Sequence, residues 1–361
     1  MILTVSLAAL LSAGCPAPLG PVTDSSKPGA PADAPDVDAA DLVGEVRQVL
    51  RANREGRALA TDVHGGWQIL HGILAYGKAF EILTPGGTVP AVEYLQAGGV
   101  VSGFDPILGD EFVVPGEAAP RRGLRMDLQP STKIGQGHRD QWLAVIAQAG
   151  LAETDTLQSG GHEFTMGDWI RQVEYDIPRN LESEFSWTLI GLLAYRDTDH
   201  RWTARDGSDY DIEGLLKSEL DKDLAASTCG GTHRLIGIAK ALLKRRRENK
   251  PIVGVWKRAE TVVTESLALA KQNQNPDGSF SVSYHHRSGW TRDLGEALGT
   301  TGHVLEFVAT AADADMLAEP WVKRSVTRLD EILVQCIEID LECGALYHGL
   351  HGLVEYEKAF P

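Results

Sequence analysis

Two kinds of helical segment alternate along this chain, and the alternation limits the folds open to it. One kind is amphipathic: residues 41–58, 209–224, 259–272 and 320–338. In the last of these, Val322, Val326, Leu329, Leu333 and Cys336 recur at three- and four-residue spacing, which is a one-sided apolar stripe. The other kind is apolar almost all round and rich in small residues: 67–77, 186–195, 232–243, 302–312 and 345–356, with 138–149 as a sixth member. A helix apolar on every face must be buried on every face. Strand-like alternation is scarce from residue 41 onward.

Buried helices starting near residues 64, 138, 186, 229, 299 and 344, separated by amphipathic ones, predict an all-α chain. The expected architecture over 41–361 is an (α/α)6 toroid, with inner helices ringed by outer helices. No helix pair buries its apolar face alone, so the ring folds as one unit. All inner helices run the same way, so their N-termini meet at one mouth. Free N–H groups and helix dipoles there favour anions and polar ligands. Residues 81–135 break the pattern. They are rich in Gly and Pro, with short apolar pieces such as Gly99-Val100-Val101 and Phe112-Val113-Val114. They read as an irregular insertion, with room for a small hairpin, covering one end of the barrel.

A small-residue stretch leading to a histidine recurs at the expected inner-helix starts. The copies are Cys229-Gly230-Gly231-Thr232-His233-Arg234, Gly299-Thr300-Thr301-Gly302-His303 running on to Glu306, Gly344-Ala345-Leu346-Tyr347-His348 running on to His351, and His64-Gly65-Gly66-Trp67 running on to His71. Histidines at equivalent points of a repeat gather imidazoles at one end of a fold. An imidazole titrates near neutral pH and suits proton transfer. His233, His303 and His348 are therefore the catalytic candidates, with Glu306 and the anion-holding Arg234. His64, Trp67, His71, His138, Tyr347 and His351 are the binding candidates. Cys229 and His233 are four residues apart, on one helix face. With Cys343 or a further histidine they offer the donors of a zinc site. Plain packing is the competing account, because Gly-Gly-Thr starts helices well and a first-turn histidine can simply bond to a neighbour.

Lys and Arg number 34 against 50 Asp and Glu, a net charge of −16, which excludes a broad nucleic-acid surface. The basic run Lys244-Arg245-Arg246-Arg247 follows an inner helix, where cations favour the C-terminus and stay solvated. At the other extreme of the chain, Ile2 to Leu11 is apolar and Ser12-Ala13-Gly14-Cys15 follows. Residues 1–15 look like a lipoprotein signal with Cys15 as the acylated mature terminus. The apolar run is too short to span a bilayer. Residues 16–40, rich in Pro, Ala, Asp, Ser and Gly, read as a disordered tether. The expected location is outside the cytoplasm, held to the cell-envelope membrane through lipidated Cys15. Export allows one disulfide among the remaining cysteines, Cys229–Cys343 or Cys336–Cys343.

The loop Gln272-Asn273-Gln274-Asn275-Pro276-Asp277-Gly278-Ser279-Phe280 resembles the Gln-to-Gly-x-Trp motif of terpenoid cyclases and protein prenyltransferases, with Phe280 where Trp stands. The resemblance implies an α/α toroid in which the Gln ties down a helix end and the aromatic packs against it. Residues 60–357 also resemble an uncharacterised family of exported bacterial proteins. Gly137-His138, Gln141-Trp142-Leu143-Ala144, 229–235, 274–280 and 300–306 carry that likeness. It implies the same fold and brings no established activity.

Three functions stay open on the residues. The chain is a lyase or hydrolase acting on a polysaccharide or other envelope substrate, a non-catalytic toroid binding a glycan or small molecule, or a zinc-dependent toroid enzyme. The lipid anchor is directly testable. Metabolic labelling with a fatty acid should mark the wild-type chain and leave Cys15→Ala unlabelled; equal labelling of both would remove the anchor.

Overall fold

The computed structural model describes residues 39–113, 120–181 and 183–360. The signal, Cys15 and the tether up to residue 38 lie outside the described residues. Helix α1 begins at Ala39, two residues inside the span read as tether. Thirteen α-helices are described. They are α1 (Ala39–Gly56), α2 (Gly66–Tyr76), α3 (Ala91–Gln96), α4 (Gln141–Gln148), α5 (Met166–Asp176), α6 (Ser186–Leu193), α7 (Ile212–Leu220), α8 (Thr232–Arg247), α9 (Val255–Asn273), α10 (Leu294–Ala311), α11 (Ala314–Leu317), α12 (Pro320–Gln335) and α13 (Cys343–Lys358). No described helix is long and apolar enough to cross a membrane.

The chain is mostly helical, but the all-α expectation needs correcting. Nine short strands are described: β1 (Leu59–Ala60), β2 (Glu81–Thr84), β3 (Gly87–Pro90), β4 (Pro106–Phe112), β5 (Arg121–Met126), β6 (Thr156–Ser159), β7 (His162–Thr165), β8 (Arg201–Thr203) and β9 (Asp209–Asp211). The antiparallel pairs are β2 with β3, β4 with β5, β6 with β7 and β8 with β9. Three of these hairpins stand immediately before an amphipathic helix: β2–β3 before α3, β6–β7 before α5, and β8–β9 before α7. Helix, hairpin, helix is thus a recurring unit. Strands of three or four residues show too few alternations to be read from sequence. The hand-over from strand to helix is written in caps. Thr165 accepts from the Asp168 N–H while Asp168 reaches back to the Thr165 N–H, and Asp211 accepts from the Gly214 N–H.

The insertion is also more ordered than its composition suggests. Its first part, β2–β3–α3, is one copy of the unit, and only β4–β5 is additional. That hairpin is pinned to α5 by charge: Arg121 grips Asp168 at 2.6 and 2.7 Å, and Arg125 donates to Asp176 at 2.7 Å.

The apolar helices pack on each other in chain order. α2 contacts α4, α4 contacts α6, α6 contacts α8, α8 contacts α10, α10 contacts α13, and α13 contacts α2. The amphipathic helices lie against them: α3 on α2, α5 on α6, α7 and α9 on α8, α12 on α10, and α1 on α13 and α12. Gln274 ties two of these parts together, its amide donating to the Trp321 carbonyl at 2.7 Å in the first turn of α12. Phe280 is buried and meets Trp321 edge-on at 6.2 Å. The basic run does end α8, yet Arg245 is not solvated. It is buried, with its guanidinium 4.6 Å from the Trp256 ring and a bond to the Pro251 carbonyl.

Helix α10 starts at Leu294, eight residues before the expected 302, because Asp293 caps it by accepting from the Glu296 N–H. The Gly299-to-Gly302 stretch is therefore inside a helix and is not a turn. Its smallness serves contact: a Cβ at Gly302 would lie 2.7 Å from Gly349 Cα.

Asp330 on α12 is buried, and neither carboxylate oxygen has a partner among the described residues. Burial, then Glu45 and Glu331, push its carboxyl from 3.8 up to about 8. The folded chain keeps a proton there that the unfolded chain releases, so stability falls as pH rises from 3.8 towards 8. Asp330→Asn should raise stability by on the order of 2 kcal/mol at pH 8 and by much less at pH 4. Urea melts at both pH values check this; an equal gain at both would refute the buried-proton account.

Candidate metal centre

The turn ahead of α8 has an unusual backbone. Cys229, Gly230 and Gly231 are consecutively left-handed, at φ 50°, 61° and 78°. Glycine accepts that region freely and cysteine does not. Neighbours hold the turn in place. The Tyr284 ring covers Gly230, where an added Cβ would be 2.4 Å from Tyr284 Cγ. His286 Nε2 donates to the Gly230 carbonyl at 2.8 Å, and Thr232 Oγ1 donates to the Cys229 carbonyl at 2.8 Å. The result folds Cys229 back over the start of α8. Its Sγ and the donor nitrogens of His233 and His303 all lie within 4.8 Å of one another, and all three residues are buried.

Four of the apolar helices, α2, α8, α10 and α13, and the turn before α4 add imidazoles to this region, and α6 adds Trp187. His303 is 5.5 Å from His233 and 4.2 Å from His348, centroid to centroid; His348 is 5.2 Å from His233; His71 is 5.4 Å from His348; His138 is 5.2 Å from His233. Trp187 packs on His233 at 5.2 Å and Trp67 on His71 at 4.2 Å. Several of these rings are oriented through Nδ1. His303 donates to the Gly299 carbonyl at 2.6 Å and His71 to the Trp67 carbonyl at 2.5 Å. Glu306 accepts from His348 on one oxygen at 2.7 Å and from His351 on the other at 2.6 Å. A neutral ring whose Nδ1 carries the proton keeps its lone pair on Nε2. Backbone or carboxylate partners that set the tautomer in this way are characteristic of metal-binding histidines.

His233 differs from the others. Its side chain is buried, and neither ring nitrogen has a partner among the described residues. A buried polar atom without a partner is costly unless something else takes it up. A second donor group meets the same ring: His138, Glu184 and His233 also bring donor atoms within 4.8 Å of one another. His138 Nδ1 stands 2.5 Å from Glu184 Oε1. His138 is half-buried, the most exposed member of that group.

The electrostatics favour neutral rings. Burial, reinforced by neighbouring imidazoles, pulls His71 and His303 down to about 3 and His233 well below the usual 6.5. Such rings are uncharged at pH 7, which suits ligation and disfavours proton donation. Burial works against the Glu306 carboxylate, but His348 and His351 overcome it and hold that group well below the usual range. Burial likewise opposes charge on His351, yet Glu306 and Glu355 raise its pKa above 6.5.

The remaining sequence candidates fall elsewhere. Arg234 is occupied, bonding Glu219 at 2.7 Å and Ser227 at 2.9 Å. His64 accepts from the Ala60 N–H in the turn before α2, outside the cluster. Tyr347 packs against Phe80 and Tyr76, and burial raises its hydroxyl. Cys343 belongs to neither donor group; burial, then Glu342 and Asp340, push its thiol to about 12. Cys229, Cys336 and Cys343 form no disulfide. Glu184 was not singled out by the sequence. Its one signal is its place two residues before an apolar helix, close to the positions that His64 and His138 hold before theirs. No protein-family model matches the chain, and no curated protein matches it.

Glu306 reaches both histidines because α10 and α13 nearly touch. A Cβ at Gly352 would be 3.0 Å from the Glu306 nitrogen, and one at Gly302 would be 2.7 Å from Gly349 Cα. Gly302→Ala should cost about 1–3 kcal/mol of stability in urea unfolding, since backbone on both sides must shift; a neutral effect would show that the two helices can separate freely.

Proposed function

We propose that this chain is an exported, metal-dependent enzyme in which Cys229, His233 and His303 hold a divalent transition-metal ion, with zinc the best fit to one thiolate and imidazoles. One observation carries the reading. Three buried donors of two chemical types converge, one of them an imidazole with both nitrogens unpartnered. The carbonyl behind His303 Nδ1 and the depressed pKa values supply what a ligand set needs, namely fixed rings and neutral nitrogens.

The architecture we assign is the (α/α)6 toroid. Its support is the contact order of the six apolar helices, which returns from α13 to α2, together with the amphipathic helices laid against them. The Gln274 and Phe280 contacts at the start of α12 fit the role that the cyclase and prenyltransferase motif gives those residues. Export and anchoring through Cys15 rest on residues 1–40 of the sequence.

With a coordination position left open, an ion held there would supply a bound water of pKa about 7 as nucleophile or base. That is hydrolase or lyase chemistry on a polysaccharide or other envelope substrate. The burial of the imidazoles favours a small molecule or a chain end over the middle of a polymer, with approach past half-buried His138. In this reading His303 and His233 act as ligands, and Glu306 fixes the ring of His348.

Metal analysis of the purified chain tests the proposal. Zinc should co-purify, and Cys229→Ser or His303→Ala should each weaken its binding by ~100-fold or more, beyond the 10–100-fold typical of outer partners. Chelation should abolish any glycan- or ester-cleaving activity found by screening. A folded chain that neither carries nor takes up zinc, cobalt or nickel would end this reading.

A further inference from the structure

Building on the metal reading above, we infer that the centre is dinuclear, with the imidazole of His233 bridging two ions. Two donor groups share His233. Cys229 and His303 complete one group, and His138 and Glu184 complete the other. A single ion would satisfy one nitrogen of His233 and leave the other buried without a partner. Two ions satisfy both; His285, the other buried ring with both nitrogens unpartnered among the described residues, belongs to neither donor group. The neighbouring rings of His71, His303, His348 and His351 each have an Nδ1 partner.

A neutral imidazole has one lone pair, so the bridge forms only when its N–H proton leaves. Two divalent cations on one ring supply the field that removes it, as a metal does for a bound thiol. Loading of the second ion therefore releases one proton to solvent, and the ring becomes imidazolate. Loading of the first ion releases the Cys229 thiol proton.

The two ions differ in surroundings. The Cys229–His233–His303 ion is enclosed by buried residues. The His138–Glu184–His233 ion has three protein ligands and lies beside the one ligand that solvent reaches. Three ligands and an exposed side describe a catalytic site with an open position. The thiolate ion then sets the bridge in place, and the second ion meets substrate. Glu184 acquires a role here as ligand.

Cobalt titration of the full chain, freed of metal by a chelator, separates the possibilities. Wild type should take up two Co2+. One equivalent should bring the thiolate-to-cobalt charge-transfer band, and the other should add ligand-field absorption without strengthening that band. The His138→Ala/Glu184→Gln double variant should bind one Co2+ and keep the full thiolate band. Glu184→Gln alone, the more conservative change, should weaken one of the two sites and leave the thiolate site unchanged. Cys229→Ser should lose the band and retain uptake at the other site. Circular dichroism identifies variants that fold. One Co2+ in wild type, or two in the folded double variant, would overturn the dinuclear assignment and leave the metal reading standing. No cobalt uptake at all would overturn both.

Discussion

The near-contact of α10 and α13 is the constraint on which the centre rests. Gly302, Gly349 and Gly352 remove the side chains that would hold the two helices apart. The backbones then come close enough for one carboxylate, Glu306, to accept from two histidines one turn apart on the facing helix. That charge is buried, and isolation would make it expensive. Paired with two imidazoles it becomes a fixed anchor, and it sets the ring of His348 beside His303 and His233. A bulky residue at any of the three glycines would move the anchor before it touched a ligand.

A second constraint acts from the opposite side. Three left-handed residues in succession turn Cys229 back across the start of α8, under Tyr284 and His286. Backbone strain of this kind persists only where surroundings over-determine it. Here it brings a sulfur to the buried face of the histidine cluster, alongside a ring with no hydrogen-bond partner among the described residues. Strain, desolvation and missing partners are all unfavourable to an unliganded fold. They coincide at one place, and a bound cation would offset them together.

Much of the helical skeleton was legible because burial writes a long record. Helices apolar on every face, such as α6 and α10, and one-sided stripes such as that of α12 repeat their pattern over several turns. Strands of three or four residues leave no such record: the insertion reads as having room for one hairpin and holds two, and the hairpins before α5 and α7 escaped notice. The small-residue stretch at 299–302 was legible as unusual but not as to why. Close helix packing and turn formation call for the same residues, and the cap at Asp293 decides between them. Arg234 and Glu184 show the same limit at the site. An arginine after a histidine looks functional until buried Glu219 is found to hold it. A glutamate in a loop looks ordinary until His138 is found beside it.

What the sequence determined alone is the longer helices, their alternation and the recurrence of histidine near the starts of the apolar ones. Periodicity is a local property, and a chain cannot hide it. Convergence was decided by tertiary structure. Residues 71, 138, 233, 303 and 348 are separated by tens of positions along the chain, and no spacing rule brings them within a ring's width of each other. Only the packing of six apolar helices does so, because each must bury all of its faces against the next. The same packing withdrew His64, Cys343 and Arg234 from the group and admitted Glu184.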